Sequence, residues 1–126
     1  MDNGYFTVPR SFLEDSQNFS QPTTSVFLVL RSLVYEYSNG ECWVRCSYEY
    51  ITKKSNIKST VSIRKAILEL AAYGWIKDFK RGGKRKDENG NITNITNQYL
   101  LPEKRILNPS IALFEKIAGY KKDENS

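Results

Sequence analysis

Apolar residues recur with helical spacing between positions 23 and 37, and polar turn residues flank the segment on both sides. Residues 20–22 (Ser-Gln-Pro) are typical of a helix start, and residues 38–40 (Ser-Asn-Gly) are typical of a helix end. Because apolar positions cover most of its circumference, we predict that this helix is the central buried element. The periodic positions are Val26, Phe27, Leu30, Leu33, Val34 and Tyr37, with Leu28 and Val29 on the other side.

The segments on either side of this helix alternate between strand-like and helix-like patterns. Residues 5–8 form a short β-prone run that Pro9 stops, and Ser11 is the predicted N-cap of a helix over 11–19, with Glu14 as its capping-box partner. Gly74 is expected to end a helix in the left-handed conformation. In chain order, the later predicted elements are a strand at 42–46, a helix at 47–54 capped by Ser47, a turn at 55–58, a helix at 60–73 capped by Ser59 or Thr60, a strand at 75–80, a hairpin loop at 81–91, a returning strand at 97–101 and a helix at 108–120.

The length of 126 residues fits one domain with its own core and is too short for two. We therefore predict an α+β fold in a single domain over residues 1–126, in which residues 5–40 supply scaffold strand and helices. Offset by 36 residues, the order strand, helix, turn, helix at 6–37 recurs at 42–73, with matching capping residues but few identities. An internal pseudo-repeat, whose first copy is a degenerate helix-turn-helix, is one interpretation, and chance similarity is the other.

Residues 47–76 resemble the core of bacterial winged helix-turn-helix domains. The second helix ends in Leu70-x-x-x-Gly74-Trp75-Ile76, which is similar to the family signature that leads from the recognition helix into the first wing strand. Residues 97–101 (Asn-Gln-Tyr-Leu-Leu) resemble the segment that returns from the wing. The resemblance implies a winged helix-turn-helix over residues 47–101 that binds double-stranded DNA.

The helix at 60–73 has one face suited to the core and another suited to DNA. An apolar stripe predicts the buried face, and it comprises Ile63, Ala66, Ile67, Leu70 and Ala71. The opposite face is predicted to expose Ser62, Lys65 and Glu69, flanked by Val61, Arg64 and Leu68. Trp43 and Trp75, on the flanking strands, are expected to form walls of the core.

Composition narrows the classes of function that fit the chain. It contains no histidine and two cysteines, so a zinc site built from its own side chains is close to excluded, and the commonest general base is missing. Four strand residues span roughly 13 Å, too far for a disulfide between Cys42 and Cys46. No apolar stretch approaches a bilayer span, and the first residues carry no apolar signal segment. We expect a cytoplasmic protein that is not an enzyme, has no cofactor and does not enter membranes.

The net charge of +5 is unevenly distributed. Residues 1–38 carry two basic and four acidic side chains, whereas residues 39–101 carry twelve basic and six acidic ones. A polyanion would therefore dock on the middle of the chain, although a solvated basic surface fits the charge equally well. The candidate DNA-binding residues on the helix pair are Lys53, Lys54, Lys58, Ser59, Thr60, Ser62, Arg64 and Lys65.

The predicted hairpin loop supplies a second group of candidates around Gly82 and Gly83. These are Lys80, Arg81, Lys84, Arg85 and Lys86, which we expect to form a flexible basic tip that contacts a minor groove or nearby phosphates. Asp87 and Glu88 are expected to lie where the loop turns away from DNA. The alternative is a solvated hairpin whose lysines discourage pairing of exposed edges.

The biological role is less narrowly defined than the fold. Residues 6–13, followed by a long apolar helix, resemble the N-terminal winged helices of plasmid replication initiators and of DnaD-type primosomal proteins. The compact size is similar to that of TraN-like accessory proteins of Gram-positive conjugative elements, which implies transfer or replication proteins as further partners. A transcriptional regulator of such an element, acting as a monomer or a homodimer, fits equally well. The alternative from another class is a winged helix that binds proteins and not DNA.

Overall fold

The computed structural model describes residues 8–119, apart from the side chains of Arg85 and Asn94. Its architecture is α+β, as predicted. The helices are α1 (Arg10–Asp15), which continues into a 3-10 turn (Ser16–Asn18), α2 (Gln21–Arg31), α3 (Tyr48–Ser55), α4 (Thr60–Ala72) and α5 (Ile111–Ala118). The strands are β1 (Glu41–Arg45), β2 (Asp78–Lys80), β3 (Gly83–Lys86), β4 (Ile92–Ile95) and β5 (Gln98–Pro102).

Three of the strands form an antiparallel sheet in the order β1-β5-β2. Val44, Tyr99 and Phe79 lie opposite one another across it and are all buried, so this face of the sheet packs on the core. The central strand β5 is buried at every position from Tyr99 to Pro102. Strands β3 and β4 form a separate antiparallel hairpin in which Gly83 pairs with Ile95 and Lys86 with Ile92. This hairpin joins β2 to β5.

The centre of the core is an aromatic cluster around Trp75, which is fully buried. The rings of Phe12 and Phe27 stack with centroids 3.8 Å apart, and each meets the indole edge to face at 5.5 and 5.6 Å. The indole Nε1 donates a hydrogen bond of 2.9 Å to the Asp15 carboxylate. Trp75 therefore forms part of the core, as predicted, whereas the side chain of Trp43 is 37% exposed.

The predicted core stripe of α4 is confirmed, since Ile63, Ala66, Ile67, Leu70 and Ala71 are all buried. The helix starts are also confirmed at two predicted caps. The Ser47 hydroxyl accepts from the Tyr50 amide at 3.0 Å, and the Ser59 hydroxyl accepts from the Ser62 amide at 3.2 Å. Ser11, in contrast, lies inside α1, whose N-cap is Pro9.

The central helix is shorter than the predicted 23–37, because α2 ends at Arg31. The Ser32 hydroxyl donates to the Val29 carbonyl at 2.7 Å, a local bond that competes with helix continuation. Leu33 and Val34 still pack against the core from a non-helical segment, so their apolar character reflects tertiary packing. The predicted strand at 75–80 is likewise reduced to residues 78–80.

The proposed 36-residue repeat is only loosely matched by these boundaries. The offset maps α3 and α4 onto residues 12–19 and 24–36, whereas the helical segments there cover 10–18 and 21–31. The predicted strand at 5–8 lies outside the described residues except for Val8. The repeat stays a prediction.

Both cysteines are free thiols in the described chain. Cys46 is buried directly after β1, and this burial raises the pKa of its thiol to about 12. Within residues 8–119, no helix has the length and apolar character needed to cross a bilayer.

A tight backbone joint at Gly74 ends α4. Gly74 has a φ of +89°, and its carbonyl accepts from the Ile106 amide at 2.9 Å. A Cβ atom at this position would lie 2.0 Å from the Ile106 carbonyl oxygen. Only glycine therefore satisfies both the left-handed conformation and the close approach of the two chain segments.

Replacing Gly74 with alanine should destabilise the fold far more than the same change at Gly40. Gly40 has a similar φ of +81° but nothing within 4 Å of a built Cβ, so Gly40→Ala introduces backbone strain alone. We expect a loss of about 1 kcal/mol for Gly40→Ala and at least about 3 kcal/mol for Gly74→Ala in urea unfolding. Equal losses at the two positions would show that the contact with Ile106 is unimportant.

Candidate nucleic-acid interface

A tight left-handed turn sets the relation between α3 and α4. Asn56 has a φ of 65°, and its amide donates to the Thr52 carbonyl at 2.9 Å, which ends α3. Ile51 is fully buried, and the partly buried Ile57 also packs against the core, so both sides of the turn are anchored. The first turn of α4 therefore begins from a fixed position only four residues after Asn56.

The exposed residues of α4 form one continuous face. Val61, Arg64, Lys65 and Ala72 are exposed, and Leu68 between them is half-buried. Their spacing of three and four residues places them in a single row along the helix. Arg64 and Lys65 stand at adjacent positions of this row and provide its positive charge.

Glu69 departs from the predicted exposed face. Its Oε1 atom accepts a hydrogen bond of 2.5 Å from the Thr23 hydroxyl of α2, and Thr23 in turn contacts the Ser20 hydroxyl at 2.9 Å. The carboxylate is therefore held at the interface between α2 and α4, because a buried hydroxyl on the neighbouring helix needs a partner. Since Glu69 is the sole acidic residue of α4, the exposed face carries positive charge alone.

The polar candidates at the start of α4 divide into capping and exposed groups. Ser59 is exposed, and its hydroxyl is used to cap the helix, while Ser62 is half-buried. Thr60 is exposed at the first helical position. The free amides and the positive dipole end of this 13-residue helix therefore face the same region as Thr60.

Three lysines surround the turn that leads into α4. Lys53 and Lys54 lie in the last turn of α3, and Lys58 directly precedes the Ser59 cap. All three side chains are exposed, and the Lys54 ammonium lies 5.7 Å from the centre of the Tyr50 ring. These three exposed cations therefore directly precede the first turn of α4 in the chain.

The β3–β4 hairpin is built differently from the flexible basic tip that we predicted. Gly82 lies at the junction of β2 and β3, where a Cβ would be 1.8 Å from the Ile95 carbonyl oxygen, and its amide donates to Asn97 Oδ1 at 2.7 Å. The actual tip is residues 87–91, an ordered turn in which Asp87 Oδ1 accepts from the Asn89 and Asn91 amides at 2.8 and 2.9 Å. Gly82 is therefore closely packed at the base of the hairpin, whereas a Cβ atom at Gly83 would meet nothing within 4 Å.

The basic residues of this region lie along β3 and not at its tip. Lys84 and Lys86 are exposed and, two residues apart on a strand, point to the same side of the hairpin. Arg85 belongs to β3, but its side chain lies outside the described part of the structure. Asp87 and Glu88 follow directly, and Asp87 is used to build the turn.

Lys80 and Arg81 make contacts within the protein. The Arg81 guanidinium donates to the carbonyls of Lys116 and Ile117 at 2.8 and 3.0 Å, so it binds the C-terminal end of α5. The Lys80 ammonium lies 4.6 Å from the centre of the Trp43 ring on the outer face of the sheet. Both cations therefore contact neighbouring elements of the protein, and the Arg81 guanidinium is bound to α5.

Two exposed apolar side chains accompany the cations and were not among the candidates. Val61 is 59% exposed in the first turn of α4, and Ile92 is 64% exposed on β4 opposite Lys86. The helical spacing of the α4 core stripe is enough to place Val61 on the outer face. Ile92 could not be found in this way, because its exposure depends on the register of a hairpin that the sequence does not specify.

The candidate interface thus consists of the outer face of α4, the turn before it and the β3 side of the hairpin. Its exposed cations in the described chain are Lys53, Lys54, Lys58, Arg64, Lys65, Lys84 and Lys86. Comparisons of the chain with protein families, with curated proteins and with solved structures find no match.

Proposed function

We propose that this protein binds double-stranded DNA, with α3 and α4 as a helix-turn-helix and the β3–β4 hairpin as a wing. The observation that carries the proposal is the outer face of α4, which follows a tight turn and presents Arg64 and Lys65 while Glu69 is held against α2. The order helix, strand, helix, helix, strand, hairpin, strand supports a winged helix, as does the sheet order β1-β5-β2.

The outer face of α4 suits the major groove of DNA. A helix of 13 residues is about 20 Å long, and the groove is about 12 Å wide, so its first turns fit within the groove. Arg64 and Lys65 would donate to phosphates or to the O6 and N7 acceptors of guanine. Val61 would contact the methyl group of thymine, which gives the first turn an apolar means of reading sequence.

The turn and the wing would act mainly on the phosphate backbone. Lys53, Lys54 and Lys58 flank the start of α4, where the helix dipole also favours a negative group. Lys84 and Lys86 lie on one side of β3 and would reach a neighbouring stretch of backbone or the minor groove. Such contacts release counterions, so affinity should fall steeply with salt, whereas a winged helix that binds proteins and not DNA predicts no binding to duplex DNA even at low salt.

Only the sequence resemblances support a proposal about the biological context of the bound DNA. We propose a cytoplasmic accessory or regulatory role on a plasmid or conjugative element, through binding and not catalysis. Transfer, transcription and replication of the element are the three settings in which its own DNA would supply the site. A footprint on that DNA would report the length and symmetry of the site, and hence whether a monomer or a dimer binds.

Replacing Arg64 or Lys65 with alanine should weaken binding to a preferred duplex by about five- to hundredfold, because each removes a charged donor from the groove-facing row. Fluorescence anisotropy with a preferred and a random duplex measures this effect at fixed salt. Lys77→Ala is the matched control, since Lys77 is exposed but pairs with Glu41 at 2.6 Å outside the interface. If both interface variants bind as tightly as the unmodified protein and the control, the surface that reads DNA must lie elsewhere.

Changes in the hairpin should separate DNA contacts from structural ones. We expect Lys84→Gln and Lys86→Gln each to lower the slope of log K against log salt by about one, with little change in melting temperature. Arg81→Gln removes two donors to α5 carbonyls and should destabilise the fold by about 1 kcal/mol while leaving the salt slope unaltered. The reverse pattern, with the slope sensitive to Arg81 and insensitive to both lysines, would contradict the assignment of the wing face.

A further inference from the structure

A cavity of about 720 Å³ opens beside the end of the sheet that is away from the β3–β4 hairpin. Its walls come from the start of α1, the end of α2 and the segment 103–107 that follows β5. The volume falls within the range of pockets that hold small molecules. None of the candidate DNA-binding residues lines it.

The charge of this cavity is strongly positive. Among the described residues, four cationic side chains line it, and one carboxylate, Glu103, opposes them. The cations are Arg10, Arg31, Lys104 and Arg105. These cations come from three separate segments of the chain, and the fold brings them together around one cavity.

Arg31 gives the cavity a rigid inner wall. It is only 7% exposed, and its guanidinium lies 4.9 Å from the centre of the Tyr37 ring, which also lines the cavity. A guanidinium held over an aromatic ring keeps a fixed orientation, and its charge adds to the positive potential of the cavity. Arg10 and Lys104 are exposed at the rim, where their long side chains can close on a ligand.

We propose that this cavity binds a small anion that carries phosphate or carboxylate groups. Arginine recognises both groups through paired hydrogen bonds, and four cations around one opening favour a ligand with more than one negative charge. The site is separate from the proposed DNA interface, so it would serve an effector and not the nucleic acid itself.

The walls of the cavity are connected to α4 through two described contacts. The Arg105 guanidinium lies 3.5 Å from the Asp15 carboxylate, which also accepts the hydrogen bond of the Trp75 indole. The neighbouring residue Ile106 donates to the Gly74 carbonyl at the end of α4. An anion that draws Arg105 towards the cavity would therefore weaken its pairing with Asp15 and alter the surroundings of the Trp75 indole.

Proton–nitrogen NMR of the DNA-free protein tests the proposal directly. Inorganic phosphate and, separately, citrate are titrated against sodium chloride of equal ionic strength. We expect a saturable shift of the Trp75 indole signal and of the Ile106 amide with at least one of the two anions. The Trp43 indole, which lies outside the cavity, should not move and serves as the control within the same spectrum.

Substitutions at the rim identify the site. Arg10→Gln and Lys104→Gln, both at exposed positions, should each weaken binding about three- to tenfold, whereas Lys77→Gln, outside the cavity, should leave it unchanged. A preference for phosphate or for citrate would assign the ligand to phosphate or carboxylate chemistry. Shifts that follow ionic strength alone, or affinities that are equal in all three variants, would overturn the proposal. Because no DNA is present, these results are independent of the proposed DNA binding.

Discussion

The packing of Trp75 against the stacked rings of Phe12 and Phe27 determines how α4 is held in this fold. Trp75 directly follows Gly74, so its burial fixes the direction in which the chain leaves α4 towards the sheet. Gly74 adds a second restraint, because its carbonyl binds Ile106 and its missing Cβ allows the two segments to touch. These two restraints keep the inner face of α4 packed against the core and leave its outer face exposed to solvent.

The internal contacts of the acidic residues shape the electrostatics of the surface. Glu69 binds Thr23 between two helices, Asp15 binds the Trp75 indole, and Asp87 builds the turn of the hairpin. Each carboxylate is used where a buried or constrained donor needs an acceptor. Because the Glu69 carboxylate is held against α2, the outer row of α4 presents Arg64 and Lys65 without an acidic side chain of the same helix beside them.

Features set by neighbouring residues could be predicted from the sequence, and features set by distant contacts could not. The Ser59 cap, the buried stripe of α4 and the left-handed Gly74 follow from local spacing and capping chemistry. The end of α2 and the orientation of Glu69 depend on packing between helices. The binding of Arg81 to α5 likewise depends on how α5 docks near β2, which no local pattern reveals. The glycine pair wrongly predicts a flexible tip, because Gly82 is needed at the base of the hairpin, where the Ile95 carbonyl leaves no room for a Cβ atom.

We have proposed that DNA contacts the outer face of α4 and the β3 side of the hairpin. The most direct measurement is the change in backbone amide signals when a short duplex is added to the labelled protein at low salt. We expect the largest changes at residues 58–68 and 84–86, with little change at residues 103–107. Changes concentrated at 103–107 or along β1, with α4 unaffected, would contradict this proposal.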